Sequence, residues 1–459
     1  LDDRPEARLL QEAGLLVLDR RVALPAIAPQ ARYTQWSLGC PQVARRITAM
    51  QRWLMRFKAP HWDARLSPLL VRLTRPLRRL IQRRRQRLWQ VEVRGMDRLR
   101  ALHEQGGGFL LTPNHAGHAD PFVMWEGSDA LGRPFYFMAA WQVFAMRRWI
   151  GYRMLQRHGC FSVDREGTDL RAFKQAVKVL ADEDYPLVIF PEGEVYHVND
   201  RVTPFRDGPA VIALTAAKNA GRPVYAVPCA IKYFYLHDPR PQLETMMTEL
   251  EQRILWRPQT GRPLAQRVCQ FAEALLGLKE VEHLGSAQQG PLRQRVGRLI
   301  EHILSGLEAA HGTAGAEQSL PERVKNVRRS CLQKLDADGL DPSAIAGLEA
   351  HLEDAYFAVQ LFSYPGDYVA ERPTIERLAE TIDKFEEDVF DRPYAQVRGA
   401  RRAVLQVGEP IDVHQFAERA ARGAQPRKAA RPLTETLEQA VQALVTEVAE
   451  GPATLQPAS

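Results

Sequence analysis

Between Trp89 and Tyr235, short apolar runs alternate with amphipathic stretches, and this alternation limits the fold more than any other feature of the chain. The segments "WQVEV", "FLLTP", "PFYFMA", "CFSV", "PLVIFPEG" and "PVYAVPCAIKYFY" are strand-sized. Helical text separates them. "RGMDRLRAL" reads as a turn and a short helix. Asp120-Pro121 opens another helix, with Asp120 as N-cap and Pro121 at the first helical position. "TDLRAFKQAVKVLADED" is a third, with Thr168 as cap and Leu170, Phe173, Val177 and Leu180 along one face. "GPAVIALTAAKNAG" is a fourth, with Gly221 at its C-terminus. Strands and helices in this order predict an α/β domain, a layered mixed sheet flanked by helices.

The flanks have a different character. Between Pro41 and Arg100 stand 17 Arg or Lys residues against only Asp63, Glu92 and Asp97, a local balance of +14 in a chain whose total is +7. Within this segment "LSPLLVRLTRPLRRLIQRRRQRL" places Leu66, Leu69, Leu70, Leu73, Leu77, Leu80 and Ile81 at helical spacing, with Arg between them. That is the pattern of an interfacial helix, kinked or divided at Pro76, with Arg83–Arg85 suited to anionic headgroups. A helix docked on its own core with a solvated Arg face fits the same text. The expected organisation is a basic helical N-terminal region over 1–88, the α/β domain over 89–237 and a charge-rich helical insertion over 238–398. A returning strand with the turn "VGEPI" follows over 399–415, then a helical tail over 416–459.

Five scattered cysteines (Cys40, Cys160, Cys229, Cys269, Cys331) form no CxxC pair, which favours a reducing compartment over a disulfide framework. No apolar run approaches the roughly 18 residues a spanning helix needs, so any membrane contact is expected at the surface. The chain begins with Leu rather than Met, which leaves its true start open, and no targeting segment is visible.

The densest chemistry lies in "LTPNHAGHADP", Leu111 to Pro121. His115 and Asp120 stand as H-x4-D between a strand and a helix. A neutral imidazole accepts a proton near neutral pH, and a carboxylate beside it fixes the tautomer. A metal reading takes His115, His118 and Asp120 as ligands and needs more from His158, His197 or His237. Its H-x-x-H-x-D spacing departs from known metallo-hydrolase patterns, and no metal is expected. His118 alone reads as a structural or substrate-lining loop residue. Further along, "GCFSVDREG" puts Arg165 just past a strand, where a guanidinium can clamp a phosphate, although on this text alone an Asp164–Arg165 surface pair is the favoured reading. "IFPEGE" carries Glu192 and Gly193 out of an apolar run into a loop at the sheet edge, where ligands bind in α/β folds. Pro228 interrupts the strand "VYAVPCAI".

In this order, H-x4-D, G-x4-D-R, F-P-E-G and a V-P strand resemble the glycerolipid acyltransferase family, of the lysophosphatidic acid or lysophospholipid acyltransferase type. "VEVRGMDRL", "TPFRDG" and "VGEPI" are similar to that family too. The likeness covers about Trp89 to Tyr235 and resumes near Arg402 to Asp412. It implies the acyltransferase fold, with His115 as general base and Asp120 as its orienting acid. Asn114, Arg165, Glu192 and Gly193 are implied to bind the acceptor. It also implies transfer from acyl-CoA or acyl-[acyl-carrier protein] to a lysolipid hydroxyl, with no bound cofactor. The site of action would be peripheral, at an anionic membrane surface on the cytoplasmic side.

One departure stands out. Where the family continues E-G-T-R, this chain has Glu192-Gly193-Glu194-Val195. An arginine is lost and an acid gained, which weakens the case for a phosphomonoester acceptor unless Arg201 or Arg206 supplies the charge. The rival reading is a basic membrane- or nucleic-acid-binding protein with a catalytically idle acyltransferase-like domain. The leucine-rich basic segment and the lack of any nucleic-acid module argue against a nucleic-acid partner.

Overall fold

The computed structural model describes residues 59–165, 169–313, 315, 320–337, 339–392, 394–420 and 426–450. Expectations for residues 1–58, including Cys40 and the cations up to Lys58, lie outside the described residues, as does Thr168. The chain enters through α1 (Pro68–Leu73) and α2 (Arg75–Arg85). Then come β1 (Leu88–Arg94), α3 (Met96–His103), β2 (Gly108–Pro113), α4 (Asp120–Leu131) and β3 (Tyr136–Ala140). α5 (Trp141–Ala145), α6 (Trp149–Arg157), β4 (Cys160–Val163), α7 (Leu170–Asp182), β5 (Leu187–Val188), α8 (Gly208–Asn219) and β6 (Val224–Tyr235) complete the α/β alternation.

The helical insertion follows as α9 (Arg240–Leu255), α10 (Leu264–Leu284), α11 (Leu292–His311), α12 (Leu320–Leu335), α13 (Pro342–Gln360), α14 (Tyr368–Glu371) and α15 (Ile375–Phe390). The chain then returns through β7 (Arg401–Val407) and β8 (Ile411–Asp412) and ends in α16 (His414–Ala420) and α17 (Pro426–Glu450).

The fold is mixed α/β. One sheet runs in the order β1-β7-β6-β2-β5-β3-β4, with β8 also paired to β6. Most pairs are parallel; β7 and β8 run antiparallel to β6. Successive residues of a strand feed opposite layers. Phe109 and Leu111 join the core with α3 and α4, while Leu110 joins the core with α7 and α8. Burial on both faces is why these strands read as nearly continuous apolar text. Pro228 does not break β6. It falls between the residues that pair with β8 (Tyr225, Ala226) and those that pair with β7 (from Cys229), where a missing N–H costs no ladder bond on that side.

Several expectations shift. Asp120 is the first helical residue rather than the N-cap, which is Ala119. Asp169 caps α7, its side chain accepting from the amides of Arg171 and Ala172. The buried face of that helix is Ala172, Ala176, Val179 and Leu180, and Leu170 is exposed. Small alanines let α7 approach the sheet closely. The C-terminal segment is no appendage: Leu433, Leu437, Val441 and Val445 of α17 are buried in the layer with α8 and β6. The basic N-terminal helix is divided at Thr74, with Pro76 in the first turn of α2. Part of its charge is answered internally, since Arg75 and Arg78 pair with Asp129, and Arg79 with Glu126, all on α4. Leu69 and Leu73 remain 68% and 67% exposed.

The insertion has its own core, which Tyr196 and Val198 of the α/β domain enter. It connects β6 to β7, two adjacent antiparallel strands, so it is an expanded hairpin loop whose ends meet at Leu236 and Ala400. It leaves from the carboxyl end of β6. Three of its corners repeat one device. Arg267 of α10 forks onto Glu251 of α9, Arg295 of α11 onto Glu280 of α10, and Arg323 of α12 onto Glu308 of α11. The four cysteines among the described residues are free. No helix among those residues is long and apolar enough to cross a membrane.

Candidate active site

His115, Arg165 and the Phe190–Glu194 loop come from different strands yet gather at one sheet edge. They follow the carboxyl ends of β2, β4 and β5, which all point the same way. Parallel strands with helical crossovers place their outgoing loops together, so the site follows from the topology.

At its centre His115 Nδ1 lies 2.8 Å from Asp120 Oδ2. Asp120 is fully buried. Its Oδ2 also accepts from the Gly117 amide at 3.0 Å, and its Oδ1 accepts from the Tyr233 hydroxyl at 2.6 Å. The carboxylate therefore turns back to the loop instead of bonding first-turn amides. The His115 ring stacks on Phe190, centroids 4.1 Å apart. With Nδ1 donating to a fixed carboxylate, Nε2 is the nitrogen left to accept a proton.

Two residues expected at the acceptor serve the frame instead. Asn114 is buried, accepting from the Ile231 amide at 2.6 Å and donating to the Ile231 carbonyl at 3.0 Å. It ties the His115 loop to β6. Glu192 is also buried and accepts from the His115 amide at 2.7 Å and from the Thr203 amide at 3.1 Å, with the Thr203 hydroxyl as a further donor. Burial pushes its carboxyl up to about 7, against the pull of those donors.

Gly193 adopts φ +80, and a Cβ there would meet Arg206 Nε at 2.5 Å, so this turn requires glycine. Arg165 Nη1 lies 2.7 Å from Glu194 Oε1 and donates to the Gly193 carbonyl. Burial would raise the Glu194 carboxyl, but Arg165 and Arg206 beside it hold it below the usual range. Arg201 is engaged elsewhere, paired with Asp367 at 2.6 Å and Glu371 at 2.5 Å in the insertion.

The site opens into a continuous cavity of about 3040 Å³. Its walls include His115, Arg165 and Glu194, Leu77 and Ile81 of α2, and Leu276 and Phe357 of the insertion. It is far larger than the clefts that hold ordinary small ligands. The loop that follows Glu194 docks on the insertion step by step. The Asn199 amide donates to Glu380 Oε2 at 2.8 Å, and Asp200 is held by Lys232 and by Arg377. His118 and His197 flank Glu387 of α15, at 3.5 Å and 3.2 Å. Burial lowers the pKa of His118.

Sequence reasoning missed Phe190, Tyr233 and Glu387. Phe190 and Tyr233 lie within strand-like text, where nothing local distinguishes a ring that touches the His115–Asp120 pair from one that fills a core. Glu387 lies 272 residues beyond His115.

A buried carboxylate, an imidazole and a large cavity thus meet at the carboxyl edge of the sheet. Residues 90–232 match the family model described as Acyltransferase, so this segment is an acyltransferase domain of the glycerolipid acyltransferase family. Acyl transfer of the kind used in lipid biosynthesis is the chemistry of such a domain. The match ends within β6, before the insertion begins. No curated protein matches the chain.

Proposed function

We propose that the protein is an O-acyltransferase that moves a fatty acyl group from an acyl thioester to a hydroxyl of a glycerolipid or lysophospholipid. The observation that carries this reading is the His115–Asp120 pair, 2.8 Å apart on the wall of a cavity with long apolar stretches. In the reaction, His115 Nε2 takes the proton of the acceptor hydroxyl, and the hydroxyl oxygen attacks the thioester carbonyl. Asp120 stabilises the imidazolium that forms. The tetrahedral intermediate collapses with cleavage of the C–S bond. The leaving thiolate of coenzyme A or acyl carrier protein receives the proton held on Nε2, which restores the base. No bound cofactor is needed for that balance.

The acceptor reading rests on Glu194. A phosphomonoester would have to displace the carboxylate already 2.7 Å from Arg165. An acceptor without a terminal phosphate, such as a lysophospholipid diester or a lipid alcohol, meets no such competitor. The exposed Leu69 and Leu73, with Arg72 between them, fit peripheral attachment to an anionic leaflet.

The test is purified protein with labelled acyl-CoA or acyl carrier protein and a panel of acceptors with and without a terminal phosphate. Transfer to a lysolipid or alcohol above transfer to the phosphomonoester is expected; the reverse preference overturns the acceptor reading. Arg165→Ala should raise the KM of acceptors that carry a phosphate and leave that of a lipid alcohol unchanged. Full activity in His115→Ala would remove the dyad from the mechanism.

A further inference from the structure

Three side chains from widely separated parts of the chain converge on the cavity wall. His118 belongs to the loop of the catalytic pair, His197 to the loop after Glu194, and Glu387 to α15 of the insertion. His118 Nε2 is 3.5 Å from Glu387 Oε1, and His197 Nε2 is 3.2 Å from Glu387 Oε2. One ligand atom from each of the three lies within 4.8 Å of the others. His197 Nε2 is buried and makes no hydrogen bond. The His197 backbone sits at φ +55, a left-handed conformation few non-glycine residues adopt.

We propose that His118, His197 and Glu387 bind a divalent ion of the zinc class, which ties the insertion to the loop that carries His115. A tetrahedral zinc with bonds of about 2.0–2.1 Å holds its ligand atoms roughly 3.4 Å apart. The two separations from Glu387, 3.5 Å and 3.2 Å, already match that spacing. Two imidazoles and one carboxylate are a donor set suited to this ion. The ion gives the buried His197 nitrogen, which faces Glu387 at 3.2 Å without hydrogen-bond alignment, a directed partner. Three protein ligands leave the fourth position open towards the cavity.

The site does not depend on the catalytic reading, and its test reads metal rather than turnover. The full chain is stripped with chelator and titrated with Zn2+ by calorimetry and with Co2+ by visible absorption. One equivalent is expected, with tetrahedral Co2+ bands and a raised unfolding temperature on Zn2+ addition. His197→Ala and Glu387→Gln should each weaken uptake at least about tenfold, since even outer-shell changes at such sites cost that much. His118→Ala, on a side chain that is one-third exposed, tests the same ligand set with less disturbance of packing. Circular dichroism spectra check that each variant folds. Absence of uptake by the parent protein overturns the proposal. So does uptake unchanged in all three variants, including the case where it falls instead in His311→Ala, because His311, His351 and Cys331 form a second cluster in the insertion.

Discussion

The α/β sheet and the helical insertion bury their polar groups in different ways. In the sheet, polar side chains near the site are spent on backbone groups. Asn114 closes on Ile231, and Glu192 on the amides of His115 and Thr203. In the insertion, charge meets charge across helix corners, as in Arg267–Glu251 and Arg295–Glu280. The first arrangement holds the His115 loop in one geometry. The second holds helix to helix. Positioning of the His115 loop and attachment of helix to helix therefore come from separate parts of this molecule.

The comparison breaks most decisively at His115. His115→Ala is expected to lower kcat about 10²–10⁴-fold, the usual worth of a general base, with the unfolding temperature unchanged. Initial rates alongside thermal melts measure both. The insertion should show the opposite pattern. Arg267→Met strands a buried Glu251 carboxylate and should cost about 3–5 kcal/mol of stability in chemical denaturation. Adding Glu251→Met should restore most of it, because the pair then leaves no unpaired charge.

A smaller effect sharpens the acceptor side. Glu194→Thr with Val195→Arg removes the carboxylate on Arg165 and adds a guanidinium. Relative kcat/KM for a phosphomonoester acceptor should rise at least about tenfold, the value of one charge-assisted hydrogen bond. No change in acceptor preference would count against Glu194 as the discriminating group.

A pH-dependent effect concerns Glu192, whose carboxyl is raised to about 7 in the fold from an ordinary value of 4.5. The folded state therefore keeps a proton that the unfolded chain releases within that window. This contribution to stability is complete below about pH 4.5 and is lost as pH rises through 7. Relative to Glu192→Gln, the parent protein should lose stability by up to about 1.4 kcal/mol per pH unit across that range. Parallel denaturation series at several pH values measure it; equal slopes in the two proteins would show that Glu192 does not titrate there.

Much of the sheet was legible because its signal is local. Apolar runs bounded by turn residues mark β1, β2, β4 and β6 within a residue or two, and β2, β4 and β6 are buried on both faces, so no alternation is needed to find those three. The insertion was legible as helices but not as a structure. Its corner pairs join residues 15 or 16 apart, and each arginine sits in similar text, "PLAQRV", "PLRQRV" and "LPERV", but that local likeness does not state which glutamate each arginine meets. The tail reads as helical, as it is, but its burial was not legible for a related reason. Leu433, Leu437, Val441 and Val445 are spaced as on any amphipathic helix, and only a partner surface shows that they belong to the main core.

Residue type and order along the chain were enough to specify the α/β class, the H-x4-D pair and the loss of an arginine at Val195, because each is carried by neighbours within a few positions. Which side chains touch was decided by the tertiary structure alone. It set Tyr233 against Asp120, Glu194 against Arg165, and Glu387 between His118 and His197. Those contacts depend on where crossovers and an expanded hairpin bring distant segments. Electrostatic pairing acts through space, and the linear text does not state distance.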